Sequence, residues 1–257
     1  MLQNRVAVIT GGASGIGRQF CLTMAGYGAD IVAIDMNEEG AKETISMVET
    51  LGRKGLAVKL NITDKTAIDK AVAQIMERFG RIDILCNNAG MVRAGLLKDI
   101  DEAAWEISME VNAKGAFLMS QAISKIMMEQ NYGRIVNTAS QAGRIGEYAN
   151  GPYSISKSAV AMLTQILALE LAEYDITVNA IAPSYIDTPL LRRGIAEQAA
   201  EQGKTFDELM EELLQTVPKR RAAKPEEIAE LVAFLASEKN SYMTGTLQFI
   251  TGGKFMQ

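Results

Sequence analysis

Short apolar runs, mostly β-branched, alternate with longer amphipathic stretches along almost the whole chain. The runs fall at residues 5–10, 30–35, 56–60, 82–87, 134–138, 177–182 and 247–251. Several are continuously apolar rather than alternating, the pattern of strands covered on both faces of a parallel sheet. Between them, apolar residues recur at helical spacing over 15–27, 38–52, 65–79, 102–130, 153–174 and 225–236. Strand and helix in regular succession predict an α/β fold, a doubly wound seven-stranded parallel sheet with helices on both faces. No repeat, low-complexity tract or Gly/Ser/Pro-rich linker interrupts the series, so residues 1–257 are expected to form one domain.

One stretch breaks the rhythm. Between Pro189 and Pro218 the chain is charged and rich in Gln, Glu and Ala, with Phe206, Leu209, Met210, Leu213 and Leu214 at helical spacing. This predicts one or two short helices between the sixth and seventh strand units. An insertion after the carboxyl end of a strand borders the ligand crevice of an open α/β sheet. Residues 189–218 are therefore expected to form a substrate lid; a solvated flap is the alternative.

Composition narrows the chemistry. The 257 residues include no histidine, two cysteines and one tryptophan. A Ser-His-Asp triad, a Cys-His pair and a His-ligated zinc are all excluded, and no metal site is expected. Acid–base chemistry near neutral pH falls to carboxylates, lysines or tyrosines with shifted pKa values. Cys21 and Cys86 lie among apolar residues and read as buried, reduced thiols, which points by default to the cytoplasm. The balance of 26 basic against 31 acidic residues, a net charge of −5, offers no footprint for nucleic acid or an anionic membrane. No apolar run is expected to span a bilayer, and the early first strand leaves no room for a signal peptide.

The first strand runs into Thr10-Gly11-Gly12-Ala13-Ser14-Gly15-Ile16-Gly17, followed by a helix. Glycines there allow a tight turn, close phosphate approach and close helix packing, while the helix N-terminus offers free N–H groups to a pyrophosphate. Asp35, at the end of the second strand, is placed to accept both hydroxyl hydrogens of an adenosine ribose and to repel a 2′-phosphate. Met36 and Asn37 follow it, with no Arg or Lys beside it in the chain. The expected cofactor is NAD rather than NADP, on a Rossmann-type nucleotide fold.

Further features appear in a characteristic order. Asn87-Asn88-Ala89-Gly90 follows the fourth strand, Asn112 sits in Val-Asn-Ala-Lys-Gly, and Ser140 follows the fifth strand. Tyr153-Ser-Ile-Ser-Lys157, Asn179, Pro183 and Thr251-Gly252-Gly253 complete the series. With the Gly-x-x-x-Gly-x-Gly turn, this order resembles the short-chain dehydrogenase/reductase family over nearly the whole chain. The resemblance implies cofactor contacts from Gly11, Ser14, Gly15, Ile16, Gly17, Asp35, Asn61, Ile62, Asn88, Ala89, Gly90, Tyr153, Lys157, Pro183, Ile186 and Thr188. It implies Asn112, Ser140, Tyr153 and Lys157 as the catalytic set, with Asn112 bending its helix and holding a proton-relay water. Two positions depart from the family pattern. Asn61 stands where an Asp commonly meets the adenine amino group, and its amide oxygen is expected to accept that bond instead. Ser184 follows Pro183 where Gly is usual, which brings Ser184 and Tyr185 into consideration as pocket residues.

Tyr153 and Lys157, four apart, share one helix face. A phenol with a pKa of about 10 is a poor base at neutral pH, and a nearby ammonium is expected to lower it. Tyr153 would then exchange a proton with the alcohol oxygen while hydride passes to or from the nicotinamide, with Ser140 orienting that oxygen. The run Ser140-Gln141-Ala142-Gly143-Arg144-Ile145-Gly146-Glu147 resembles short-chain polyol dehydrogenases that oxidise sorbitol-type sugar alcohols. Gln141, Glu147 and Tyr185 join Ser140 and Tyr153 as expected substrate contacts. In the alternative, Arg144 and Glu147 simply pair, and the enzyme reduces 3-oxoacyl groups or small diketones under a lid lined by Leu190 and Leu191. A non-catalytic NAD-binding sensor is the remote reading, since it would not need the proton pathway. The expected partners are a small alcohol or ketone, with no nucleic acid or membrane, and a homotetramer or homodimer. The apolar faces within 116–128 and 159–171, and the terminus 252–257, are the expected contacts between subunits.

Overall fold

All seven runs become parallel strands of one sheet: β1 (Val6–Thr10), β2 (Asp30–Asp35), β3 (Gly55–Lys59), β4 (Ile84–Asn87), β5 (Gly133–Thr138), β6 (Ile176–Pro183) and β7 (Leu247–Ile250). Their order is β3-β2-β1-β4-β5-β6-β7, so the winding reverses between β1 and β4. That reversal opens the crevice in which doubly wound sheets bind ligands. The computed structural model describes residues 1–256, apart from the side chain of Glu201. Gln257, the end of the segment expected to meet a neighbouring subunit, lies outside the described residues.

The strands are apolar throughout because each face has its own core. Ala7, Ile9, Ile31 and Ala33 point to one side, against Phe20, Met24, Ile45, Ile228 and Val232. Val6, Val8, Val32 and Ile34 point to the other, against Ile68, Ile75, Met119, Ile123, Met127 and Leu167. This is the period-two geometry of a strand with no polar side to show. The first face carries α1 (Gly15–Gly26), α2 (Glu38–Thr50) and α9 (Pro225–Leu235); the second carries α3 (Lys65–Phe79), α5 (Gly115–Gln130) and α6 (Gly151–Leu171). Side-chain caps set several helix starts. Asn37 accepts from Gly40 N–H, Asp64 from Ala67 and Asp101 from Ala104. Residues 82–83, expected within the fourth strand, precede it instead. The Asp83 carboxylate there accepts from the Val6 N–H and pairs with Arg5 and Arg81, while its backbone hydrogen-bonds Val6 and Arg134 at the entrance to the ladder.

Two expectations about helices need correction. The stretch 102–130 is not one helix: α4 (Glu102–Met109) and α5 are joined by a π-helical turn, Glu110–Lys114. Its cause is Asn112, whose Oδ1 accepts from Met91 N–H at 2.8 Å and whose Nδ2 donates to Met91 O and Ser156 Oγ, each at 2.9 Å. These bonds hold an extra residue in the turn. Secondly, α6 with its 3₁₀ extension, Gly151–Tyr174, is long and apolar enough to cross a membrane by length and composition. Here it packs on β6 and carries the buried Lys157.

The insertion forms two helices, α7 (Pro189–Gln202) and α8 (Phe206–Gln215). Ile195, Ala199 and Leu209 make a small core between them, with Leu191, Phe206, Met210 and Leu213 packed around it. Thr205 caps α8 in a reciprocal capping box with Glu208. Cys21 and Cys86 are both buried and unpaired, and burial raises both thiol pKa values well above the ordinary range.

Candidate active site

The glycine-rich turn joins β1 to α1 at the switch point. Gly11 (φ +70°) and Gly15 (φ +54°) adopt the left-handed conformation that favours glycine. A Cβ on Gly17 would lie 2.0 Å from Gly11 O, so the helix can start so close only as glycine. Ser14 takes the N-cap position of α1 with no side-chain cap bond, and the first turn holds no acidic residue. The positive pole of the helix is thus left to a ligand. A Cβ built on Gly15 would meet only Thr188, at 3.8 and 3.9 Å, so the loop after β6 stands across the turn. Thr10 Oγ1 accepts from the N–H groups of Asn88 and Ala89 at 2.9 and 3.0 Å, tying the two loops at the crevice together. These features fit a dinucleotide diphosphate.

The adenosine end is a mixed result. Asp35 accepts from Ala13 N–H at 3.0 Å and from Asn37 N–H at 2.9 Å, which fixes its carboxylate at the end of β2. No cation adjoins it in sequence, yet the sheet sets Lys59 opposite it in register. The Lys59 ammonium lies 4.0 Å from Glu38. Asn61 Oδ1 accepts from Thr63 N–H and Thr63 Oγ1, at 3.1 and 3.0 Å, closing an Asx turn. The oxygen expected to meet an adenine amino group is therefore already occupied. Ile62 is buried against the position of Gly115, so its side chain belongs to the core. Ile186 is buried as well, while Ile16 packs partly against the first core.

Ser140 at the end of β5 and Tyr153 and Lys157 on α6 come together as expected. Lys157 Nζ donates to Thr138 O at 2.6 Å and lies 5.7 Å from the Tyr153 ring centroid. A Cβ on Gly90 would lie 3.0 Å from Asn112 Oδ1 and 3.3 Å from Lys157 Nζ, so these two groups flank one glycine. Burial pushes Lys157 down to about 8. The expected lowering of the Tyr153 pKa by Lys157 is not found. Burial raises it, the Ser140 hydrogen bond opposes that rise, and the negative charge of Glu147 adds to it. The ammonium is turned to a carbonyl instead of the phenol, so desolvation dominates.

Glu147 is held by two amides. Gln141 Nε2 donates to one carboxylate oxygen at 2.9 Å and Asn150 Nδ2 to the other at 3.1 Å. With both nitrogens committed, Gln141 Oε1 and Asn150 Oδ1 are left buried without partners, as is Ser154 Oγ. Of this group, the Glu147 carboxylate is near enough to the Tyr153 phenol to act on it electrostatically. Asn150 was not legible from the sequence, because only the turn before α6 brings it to Glu147. Thr138 was equally invisible, since it contributes a backbone carbonyl.

Pro183 ends β6, and Ser184 Oγ donates to Thr251 O at 3.2 Å. Tyr185 OH accepts from Lys254 Nζ at 2.7 Å. Asn179, by contrast, is structural: it accepts from Thr246 and donates to Met243 O, fastening β6 to the segment leading into β7.

A parallel sheet with a diphosphate cradle at its switch point and a Ser-Tyr-Lys group beside it defines a nucleotide-binding oxidoreductase class. The chain belongs to the short-chain dehydrogenases, whose family model, "short chain dehydrogenase", matches residues 5–199. It is 40% identical over 253 residues to the (2S)-[(R)-hydroxy(phenyl)methyl]succinyl-CoA dehydrogenase subunit BbsD of Thauera aromatica, covering 98% of this chain and 97% of that one. Its fold is similar to levodione reductase (TM-score 0.95, 33% identity, 99% of this chain and 98% of the other). It is also similar to NAD+-bound xylitol dehydrogenase (TM-score 0.94, 34% identity, 98% of this chain and 99% of the other).

Proposed function

We propose that this protein oxidises a secondary alcohol, a sugar alcohol or related polyol, to the ketone with NAD+ as acceptor. The observation that carries the polyol reading is the Glu147 carboxylate that acts on Tyr153, held by Gln141 and Asn150, whose amide oxygens are buried without partners. Buried acceptors without donors are costly, and a substrate with several hydroxyl groups would satisfy them. The similarity to NAD+-bound xylitol dehydrogenase supports the same reading. Asp35, facing the ribose position, supports NAD over its 2′-phosphate form.

NAD+, when bound, supplies the hydride acceptor. Tyr153, once its own proton has passed to solvent, takes the alcohol proton as the phenolate, Ser140 accepts or donates a hydrogen bond at the same oxygen, and Lys157 holds its charge beside the ribose position next to Gly90. Asn112 keeps the π turn open beside that lysine. The paired helices α7 and α8 act as a lid over the substrate. A second reading, an enzyme that reduces 3-oxoacyl groups or small diketones, is favoured by the half-exposed Leu190 at the start of that lid, and the Thauera relative, a succinyl-CoA dehydrogenase by name, supports an acyl substrate though not the direction.

NAD reduction across polyols, hydroxyacids and diols, set beside reduction of 3-oxoacyl substrates, tests the proposal. Turnover of polyols with NAD is expected. Turnover of 3-oxoacyl substrates alone would overturn the polyol assignment, and a kcat/KM preference for NADP would overturn the cofactor.

A further inference from the structure

We propose that Lys254 and Tyr185 form an anion subsite at the outer end of the substrate cleft, so that the preferred alcohol carries a carboxylate or phosphate. This deepens the alcohol-oxidoreductase reading and rests on it. Lys254 is half-buried, its Nζ donates to Tyr185 OH at 2.7 Å, and it lies 3.9 Å from the Tyr185 ring centroid. No carboxylate among the described residues pairs with it. A nearby cation differs in this respect: Arg221 is paired with Glu227 at 2.6 Å. An ammonium partly removed from water, with no acid among the described residues to compensate it, is a standing demand for an anion.

The geometry adds a second donor. Because Tyr185 OH accepts from Lys254, its own hydrogen is free to point onward, and the pair presents N–H and O–H donors together. The lysine is held in place by a braced terminus. Lys254 N–H donates to Thr251 O at 3.2 Å, Thr251 Oγ1 donates to Phe255 O at 2.9 Å, and the Phe255 ring packs 4.6 Å from Phe249. Such preorganisation spares the ordering cost of gripping a ligand.

Position ties the pair to the chemistry. Ser140, Tyr185 and Lys254 follow the carboxyl ends of β5, β6 and β7, which are successive neighbours in the sheet. Lys254 and Ser140 thus lie on the same carboxyl edge of the sheet, with the β6 loop that carries Tyr185 between them in strand order. The anionic group would therefore meet the protein from a different loop than the one that carries Ser140 and Glu147.

The test compares kcat/KM with NAD+ for xylitol, xylonate and xylitol 5-phosphate in the wild type, Lys254→Gln and Tyr185→Phe, with melting temperatures confirming that each variant folds. The wild type is expected to favour one of the two anions over xylitol by roughly ten- to hundredfold, the range for hydrogen bonds to charged groups. Which anion is favoured separates carboxylate from phosphate recognition. Lys254→Gln should bring the ratio close to one through KM, and Tyr185→Phe, which keeps the ring, should reduce it partway. A wild type that treats xylitol as well as both anions, or a ratio unchanged in Lys254→Gln, overturns the subsite alone. No NAD reduction with any of the three overturns the polyol reading and the subsite together.

Discussion

Tyr153 and Lys157 bear opposite consequences of one cause. Both are withdrawn from water, so the phenol holds its proton more tightly and the ammonium holds its proton less tightly. Burial sets Lys157 at about 8, against 10.5 for an ordinary lysine. Below pH 8 the lysine is protonated in folded and unfolded chains alike, and the fold carries the whole cost of burying the charge. Between those values the unfolded chain holds a proton that the native state has released, so stability rises with pH; above both values the penalty is gone. Relative to Lys157→Met, the wild type should therefore gain up to about 3 kcal/mol as the pH climbs through that window, read by denaturant melts at stepped pH. A flat difference would place the charge in a better-solvated site. Tyr153→Phe keeps the ring and removes the proton carrier, so kcat should fall by about 10²- to 10⁴-fold while NAD affinity is nearly retained. Single-turnover kinetics with a separate binding titration distinguish the two effects.

At the scale of elements, the site depends on how closely the 3₁₀ turn Gln141–Gly143 approaches α6. A Cβ on Gly143 would lie 2.7 Å from the carbonyl carbon of Lys157 and 2.8 Å from its oxygen, both rigid helix backbone. Gly143→Ala should push the turn off the helix, costing about 1–3 kcal/mol of stability and lowering turnover as Ser140 shifts from Tyr153. Gly146→Ala serves as the control: it lies in the same loop and a Cβ there meets nothing within 4 Å. Equal effects of the two substitutions would show that loop entropy, not the close approach, is what matters. The π turn at Asn112 makes the same point about reading patterns. Its helix looked continuous because the apolar positions resume after it, and the bonds to Met91 and Ser156 that create it join segments far apart in the chain.

For the whole molecule, the unexplained surface is the outer side of α5 and α6. Leu169 is 83% exposed, Met162 55%, Ile166 45% and Phe117 43%. These positions fall within the faces expected to join subunits, and a second copy of the chain is the occupant proposed here. Light scattering should report a dimer or tetramer, and Leu169→Glu, which places a charge at the most exposed of these four positions, should shift it toward the monomer. A monomeric wild type would leave this face to another partner. The same helix has the hydropathy of a membrane span, and the proposed interface gives its apolar outer side a different explanation.

Much of this was legible in the chain because the signals are local. Apolar runs set the strands, the glycines set the phosphate turn, and the spacing of Tyr153 and Lys157 set their common face, since helix and strand periodicities are properties of consecutive residues. What only the tertiary structure decided involves pairs without a fixed sequence spacing. Lys59 opposite Asp35, Met91 on Asn112, Lys157 on the carbonyl of Thr138, and Lys254 on Tyr185 are all contacts of that kind. The sign of the Tyr153 shift belongs with them. It depends on which groups share a buried space, and burial is created only when both faces of the sheet are covered.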